Sequence, residues 1–77
     1  MNKPTITYFA EEPSLQELQK VVGGYIEAVP THDGRVMYVN EEGLMRQLAF
    51  NPEASEMASR RIVGNVAVIG GSDESSD

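Results

Sequence analysis

Val66-Ala67-Val68-Ile69, four apolar residues in a row between Gly64-Asn65 and Gly70-Gly71, constrain the fold more than any other stretch. Side chains on a strand alternate between its two faces. A strand that is apolar at every position is therefore buried on both faces and sits centrally in its sheet. The chain has 77 residues, room for one domain. At that size folding removes only roughly 60% of the unfolded surface from water, so the core is small. There is no cysteine to add a disulfide or a thiolate metal site. Small folds without such staples often gain stability by oligomerising.

The segment Gly34 to Arg46 reads as strand, cap and helix. Arg35-Val36-Met37-Tyr38-Val39 is β-branched and aromatic and follows a glycine turn, which predicts a strand. Asn40 is placed to cap a helix, with Glu41 and Glu42 in the first turn, where the helix dipole favours acids. Leu44, Met45 and Leu48 give that helix, Asn40 to Ala49, an apolar side.

Upstream, Ile6-Thr7-Tyr8-Phe9 predicts a short first strand at an edge. Ser14-Leu15-Gln16-Glu17 matches a capping box, and Leu15, Leu18, Val21 and Val22 form an apolar stripe that Gly23 ends. Tyr25–Val29 is a strand that returns through Pro30-Thr31-His32-Asp33-Gly34 into Arg35–Val39. Asp33-Gly34 is the hairpin signal. Asn51-Pro52-Glu53 opens a third helix running to about Ser59, with Ala54, Met57 and Ala58 inward and Arg60 and Arg61 at its C-terminal end. The order β-α-β-β-α-α-β predicts an α+β fold: about four strands, mostly antiparallel, with two or three short helices on one face. Residues 1–70 form the domain, and the acidic stretch 71–77 is expected to be disordered.

The formal net charge is −6. Asp73, Glu74 and Asp77 supply three of the twelve acids, leaving nine acids against six bases on residues 1–70. No basic stripe is present, so nucleic acid is an unpromising partner. No run approaches the roughly 20 apolar residues of a membrane span, and no continuous apolar segment follows Met1-Asn2-Lys3-Pro4 as in a signal peptide. A cytoplasmic location without membrane contact follows as the expectation. The single histidine, His32, has no serine or cysteine beside it, and Glu41 and Glu42 diverge by about 100° on a helix. Gly23-Gly24 and Gly70-Gly71 lack the spacing and lysine of a phosphate loop. We expect no catalytic residue, no metal site and no cofactor. Arg60-Arg61 could grip a carboxylate or phosphate, but solvation at a helix end explains the pair first.

A four-stranded sheet with helices on one side leaves the other side open. The hairpin offers apolar side chains to both, so the open face is expected to carry Tyr25, Glu27, Arg35 and Met37 as a contact surface for a partner or a second copy. A small ligand would instead sit where the Asn40-Glu41-Glu42 helix start meets Tyr25 and Tyr38.

Taken together, Leu18–Glu27 (LQKVVGGYIE), Val39–Gly43 (VNEEG), Asn51-Pro52 with Ala54, and Ile62-Val63-Gly64 with Val66 and Val68 resemble a family of small proteins of phages and mobile elements, classed as domain of unknown function 3846. The match runs from about Leu15 to Ile69, with the GGYIE and NEEG blocks the most specific. The resemblance implies expression inside a bacterial host and brings no catalytic residues with it. The expectation is a small acidic accessory protein acting as a non-enzymatic interaction module on a host protein, including host defence components. The alternative is a small-ligand or nucleotide-binding oligomer.

Overall fold

The computed structural model describes residues 3–70. They form β1 (Ile6–Phe9), α1 (Leu15–Val22), β2 (Ile26–Pro30), β3 (Val36–Asn40), α2 (Pro52–Ala58) and β4 (Val66–Ile69). The sheet order is β1-β4-β3-β2, with β1 parallel to β4 and the other pairs antiparallel. The α+β class and the mostly antiparallel four-stranded sheet agree with the reading from sequence. The stretch 71–77, expected to be disordered, lies outside the described residues.

β4 occupies the central position its composition demands, and Val66, Ala67 and Val68 are fully buried. Its two faces are covered by different helices, and this corrects the expectation of helices on one side. Val66 and Val68 join Val29, Met37 and Val39 under Ala54 of α2 and Ile62, with Met57 and Ala58 against the cluster. Ala67, on the opposite side, faces α1, which packs across β2, β3 and β4 and buries Leu18 and Val22. The physical reason lies in the run itself: four consecutive apolar residues require cover on both sides.

The helix ends follow their signals. Ser14 Oγ accepts from Glu17 N–H at 3.1 Å, and Gly23 closes α1 at φ +81°. Asn51 Oδ1 accepts from Ala54 N–H at 3.2 Å, Pro52 takes the first helical position, and Ser59 ends α2 in left-handed conformation. Leu15 departs from the stripe and is exposed.

The helix expected from Asn40 to Ala49 does not form. Residues 41–47 are wound in turns. Their backbone bonds change span from one to the next: Gly43 N–H to Asn40 C=O, Arg46 to Glu42, Gln47 to Leu44, and Leu48 to Gly43. A helix needs a steady four-residue span. Two residues break it. Gln47 sits at φ +58°, outside the helical region. Gly43 lies so close to its surroundings that a Cβ there would stand 2.8 Å from Val63 Cγ2. The segment is thus pressed against the chain leading into β4, and only glycine permits the approach.

Candidate functional site

Call the lower end of the sheet the end where β1 and β4 begin and β3 finishes. Three asparagines tie it together. Asn40, buried at the end of β3, donates from Nδ2 to Val22 C=O at 3.1 Å and accepts at Oδ1 from Glu42 N–H at 2.8 Å. It joins the end of α1 to the turn segment, and the cap expected of it becomes an Asx turn. Asn51, also buried, donates to Gly64 C=O at 2.9 Å while capping α2. Asn65 Oδ1 accepts from Thr5 N–H at 2.9 Å and so fixes the start of β1 against β4.

With the backbone held in this way, the turn segment displays its apolar side chains. Leu44 is 63% exposed and Met45 76%, where a helix would have turned them inward. Leu48 behaves differently: its Cδ1 fills the space above Gly64, 2.8 Å from where a Cβ would lie. Next to Leu44 is a cleft of about 60 Å³ lined also by Glu27, Val39, Asn40, Glu41, Arg60, Arg61, Ile62 and Val63. Arg60 reaches Glu27 at 3.9 Å, and Arg61 lies over the ring of half-exposed Phe50 at 4.9 Å. Leu44, Arg61 and Phe50 therefore form one continuous surface. Tyr25, 65% exposed, stands on another side of the same end, sharing a hollow with Gln16, Gln19, Lys20 and Arg46.

The residues singled out from sequence part company. Glu27, Asn40 and Glu41 meet at the cleft. Glu42 turns to an exposed pair with Arg46 at 3.3 Å. Met37 is fully buried under α2 and cannot contribute to any surface. The open face proposed around Tyr25, Glu27, Arg35 and Met37 is thereby corrected: that side of the sheet carries the main core, because α2 covers it. Arg35 lies at the upper end, bound to Asp33 at 2.7 Å and over the Tyr8 ring at 5.6 Å. Tyr38 is on the α1 side, its hydroxyl donating to Glu12 Oε2 at 3.4 Å. The Asn40–Glu42 segment meets Tyr25 through the backbone, Glu41 N–H donating to Tyr25 C=O at 2.9 Å, while the Tyr38 hydroxyl turns to Glu12 on the α1 side.

Electrostatics concentrate at the upper end. The Arg35 guanidinium, with the Thr31 hydroxyl, holds the Asp33 carboxyl well below the ordinary carboxylate range. Burial raises the Tyr38 hydroxyl, and the negative Glu12 beside it adds to the shift. Among the described residues no three His, Cys, Asp or Glu side chains gather as a metal site. No described helix is long and apolar enough to cross a membrane.

Reading the sequence missed Leu44, Met45 and Phe50 as surface residues. The available signal was Gly43 inside the supposed helix, a poor helix former in its first turn. In comparisons with known proteins, the profile of one family, described as Domain of unknown function (DUF3846), matches residues 1–77. No curated protein and no solved structure matches the chain.

Proposed function

The chain belongs to the DUF3846 family, and from that premise we propose that it is a non-enzymatic interaction module that binds a protein of a bacterial host cell. The observation that carries this reading is the exposure of Leu44 and Met45 on a turn segment whose backbone is anchored from behind. Leu44 borders the cleft that Arg61 also lines, and Arg61 lies over Phe50, so exposed apolar side chains stand beside charge there, the composition of a contact site. An accessory role for a phage or mobile element, directed at host defence, fits such a module. The small-ligand alternative would rest on a different place. The cleft at Asn40 and Glu41 holds only about 60 Å³, whereas the hollow lined by Tyr25, Gln16, Gln19, Lys20 and Arg46 holds about 340 Å³, within the range of ligand pockets.

The test is capture from host lysate with the tagged chain and with Leu44→Asp/Met45→Asp, followed by mass spectrometry. The expected result is one protein retained by the parent chain and depleted about tenfold by the double variant. Equal retention by both would remove this surface from the reading. A co-purifying small molecule with no protein would favour the alternative.

A further inference from the structure

The sheet has two outer edges, and they are not equally protected. On β2, Pro30 lacks an N–H and Glu27 brings a charge, both of which discourage further pairing. β1 carries neither proline nor charge between Ile6 and Phe9. Val66 N–H donates to Thr5 C=O at 3.0 Å and Gly70 N–H to Phe9 C=O at 2.9 Å, with Ile6 level with Val66. In a parallel ladder this phasing turns the backbone groups of Thr5, Thr7 and Phe9 toward β4 and those of Ile6 and Tyr8 outward. No described residue bonds to those outward groups.

We propose that β1 pairs antiparallel with β1 of a second copy of this chain, Ile6 opposite the partner's Tyr8 and Thr7 opposite the partner's Thr7. The two four-stranded sheets become one across a twofold axis perpendicular to them. Such an axis keeps each face on its own side, so only residues of like parity can meet. Ile6 and Tyr8 satisfy this and exchange their outward N–H and C=O groups with the partner's. The same pairing sets a β-branched side chain against an aromatic one, a favourable cross-strand combination, and Tyr8, though its ring lies under Arg35, is still 53% exposed. A register centred on Tyr8 instead would place Ile6 opposite Ala10, where β1 has already ended.

Charge supports the same register. It brings the Lys3 end of one copy beside the Glu11 end of the other. Both residues are exposed, and neither holds an ion pair among the described residues. The contact is self-complementary, and with one open β1 edge per copy it closes at two.

Sedimentation or light scattering up to about 200 µM is the first measurement, and a monomer–dimer equilibrium is expected. Thr7→Cys is the second. The chain has no cysteine of its own, so any cross-link is the engineered one. Facing Cα atoms in a pair of this type lie about 4.5 Å apart, within disulfide reach. Thr7→Cys should form a disulfide dimer under mild oxidation, and Glu27→Cys on the other edge should not. Lys3→Glu should weaken the dimer about fivefold, with recovery in Lys3→Glu/Glu11→Lys. A strict monomer, a cross-link through Glu27→Cys instead of Thr7→Cys, or indifference to Lys3→Glu would each overturn the proposal.

Discussion

Asn40→Ala is the substitution with the largest calculable effect at the lower end. The side chain is buried and makes two bonds to backbone: Nδ2 to Val22 C=O at 3.1 Å and Oδ1 from Glu42 N–H at 2.8 Å. Each bond contributes about 1 kcal/mol net, and a buried group left without its partner costs about 1–3 kcal/mol. The two ends differ. Glu42 N–H belongs to a half-exposed residue that water can reach. Val22 is buried, so its carbonyl is stranded. The total comes to roughly 2–3 kcal/mol. A fold of this length is stable by roughly 4–12 kcal/mol, so the loss is a large fraction. The melting temperature should fall by about 10–20 °C. Urea denaturation followed by circular dichroism reads the free energy directly. Asn40→Asp separates the two bonds: it keeps the acceptor for Glu42 and turns a carboxylate toward the Val22 carbonyl, so it should be no more stable than Asn40→Ala at neutral pH. A change below about 0.5 kcal/mol in Asn40→Ala would refute the idea that this asparagine joins α1 to the turn segment.

Gly64→Ala should destabilise by about 2 kcal/mol or more, since Gly64 combines φ +82° with Leu48 Cδ1 at 2.8 Å from the new methyl; Gly23→Ala, at φ +81° with open space, should cost only about 1 kcal/mol, and equal effects in denaturation would remove the packing argument. The native Tyr38 hydroxyl keeps its proton to higher pH than in the unfolded chain. The stability linked to it is present below about pH 10 and lost as pH rises through the native value, and Tyr38→Phe should flatten the alkaline limb of a stability–pH curve. Asp33 behaves oppositely: its native carboxyl titrates below its unfolded value, so its contribution is present above about pH 4 and lost as pH falls, and Asp33→Asn should make urea midpoints less steep in acid. Leu44→Asp/Met45→Asp should change folding stability by no more than about 0.5 kcal/mol, because both side chains are already in water.

Much of the fold was legible because its signals are local and mutually consistent. Ser14, Gly23, Asn51 and Pro52 each specify a helix end through the backbone groups they satisfy or omit, and each stands where its chemistry predicts. Val66–Ile69 announced a central strand through composition alone. The errors arose where tertiary contacts outweigh local preference. Asn40-Glu41-Glu42 is a good helix start, but the Asn40 side chain has a competing partner in Val22 C=O, contributed by another element. Leu44, Met45 and Leu48 suit a helix face equally well, and nothing local distinguishes Leu48, which packs over Gly64, from the two that face water. The face assignment of Met37 depended on where α2 lands. That follows from Ala54 and Ile62 joining Met37 and Val68 in one cluster on the same side of the sheet, a relation between residues far apart in the chain. The central strand did contain the correction: a run apolar on both faces is incompatible with helices on only one.

The lower end is built differently from the rest of the molecule, and the difference bears on what it is for. Elsewhere in this small domain cohesion comes from apolar burial, Met37, Val66 and Val68 being fully enclosed. At the lower end the connections run through Asn40, Asn51 and Asn65, each bonding from a side chain to distant backbone. Side-chain-to-backbone bonds can hold a loop's path without using the loop's own side chains. The turn segment is thus released from contributing Leu44 and Met45 to the core, although a chain of this size has few large apolar residues to spare. On the proposed function, these exposed apolar side chains would serve contact with a partner. The same reasoning separates this end from the β1 edge, where the unsatisfied groups are backbone N–H and C=O and the fitting partner is another strand. On the two proposals made above, one molecule would present two surfaces of different chemistry, a polar edge for its own copy and an apolar turn for a foreign protein.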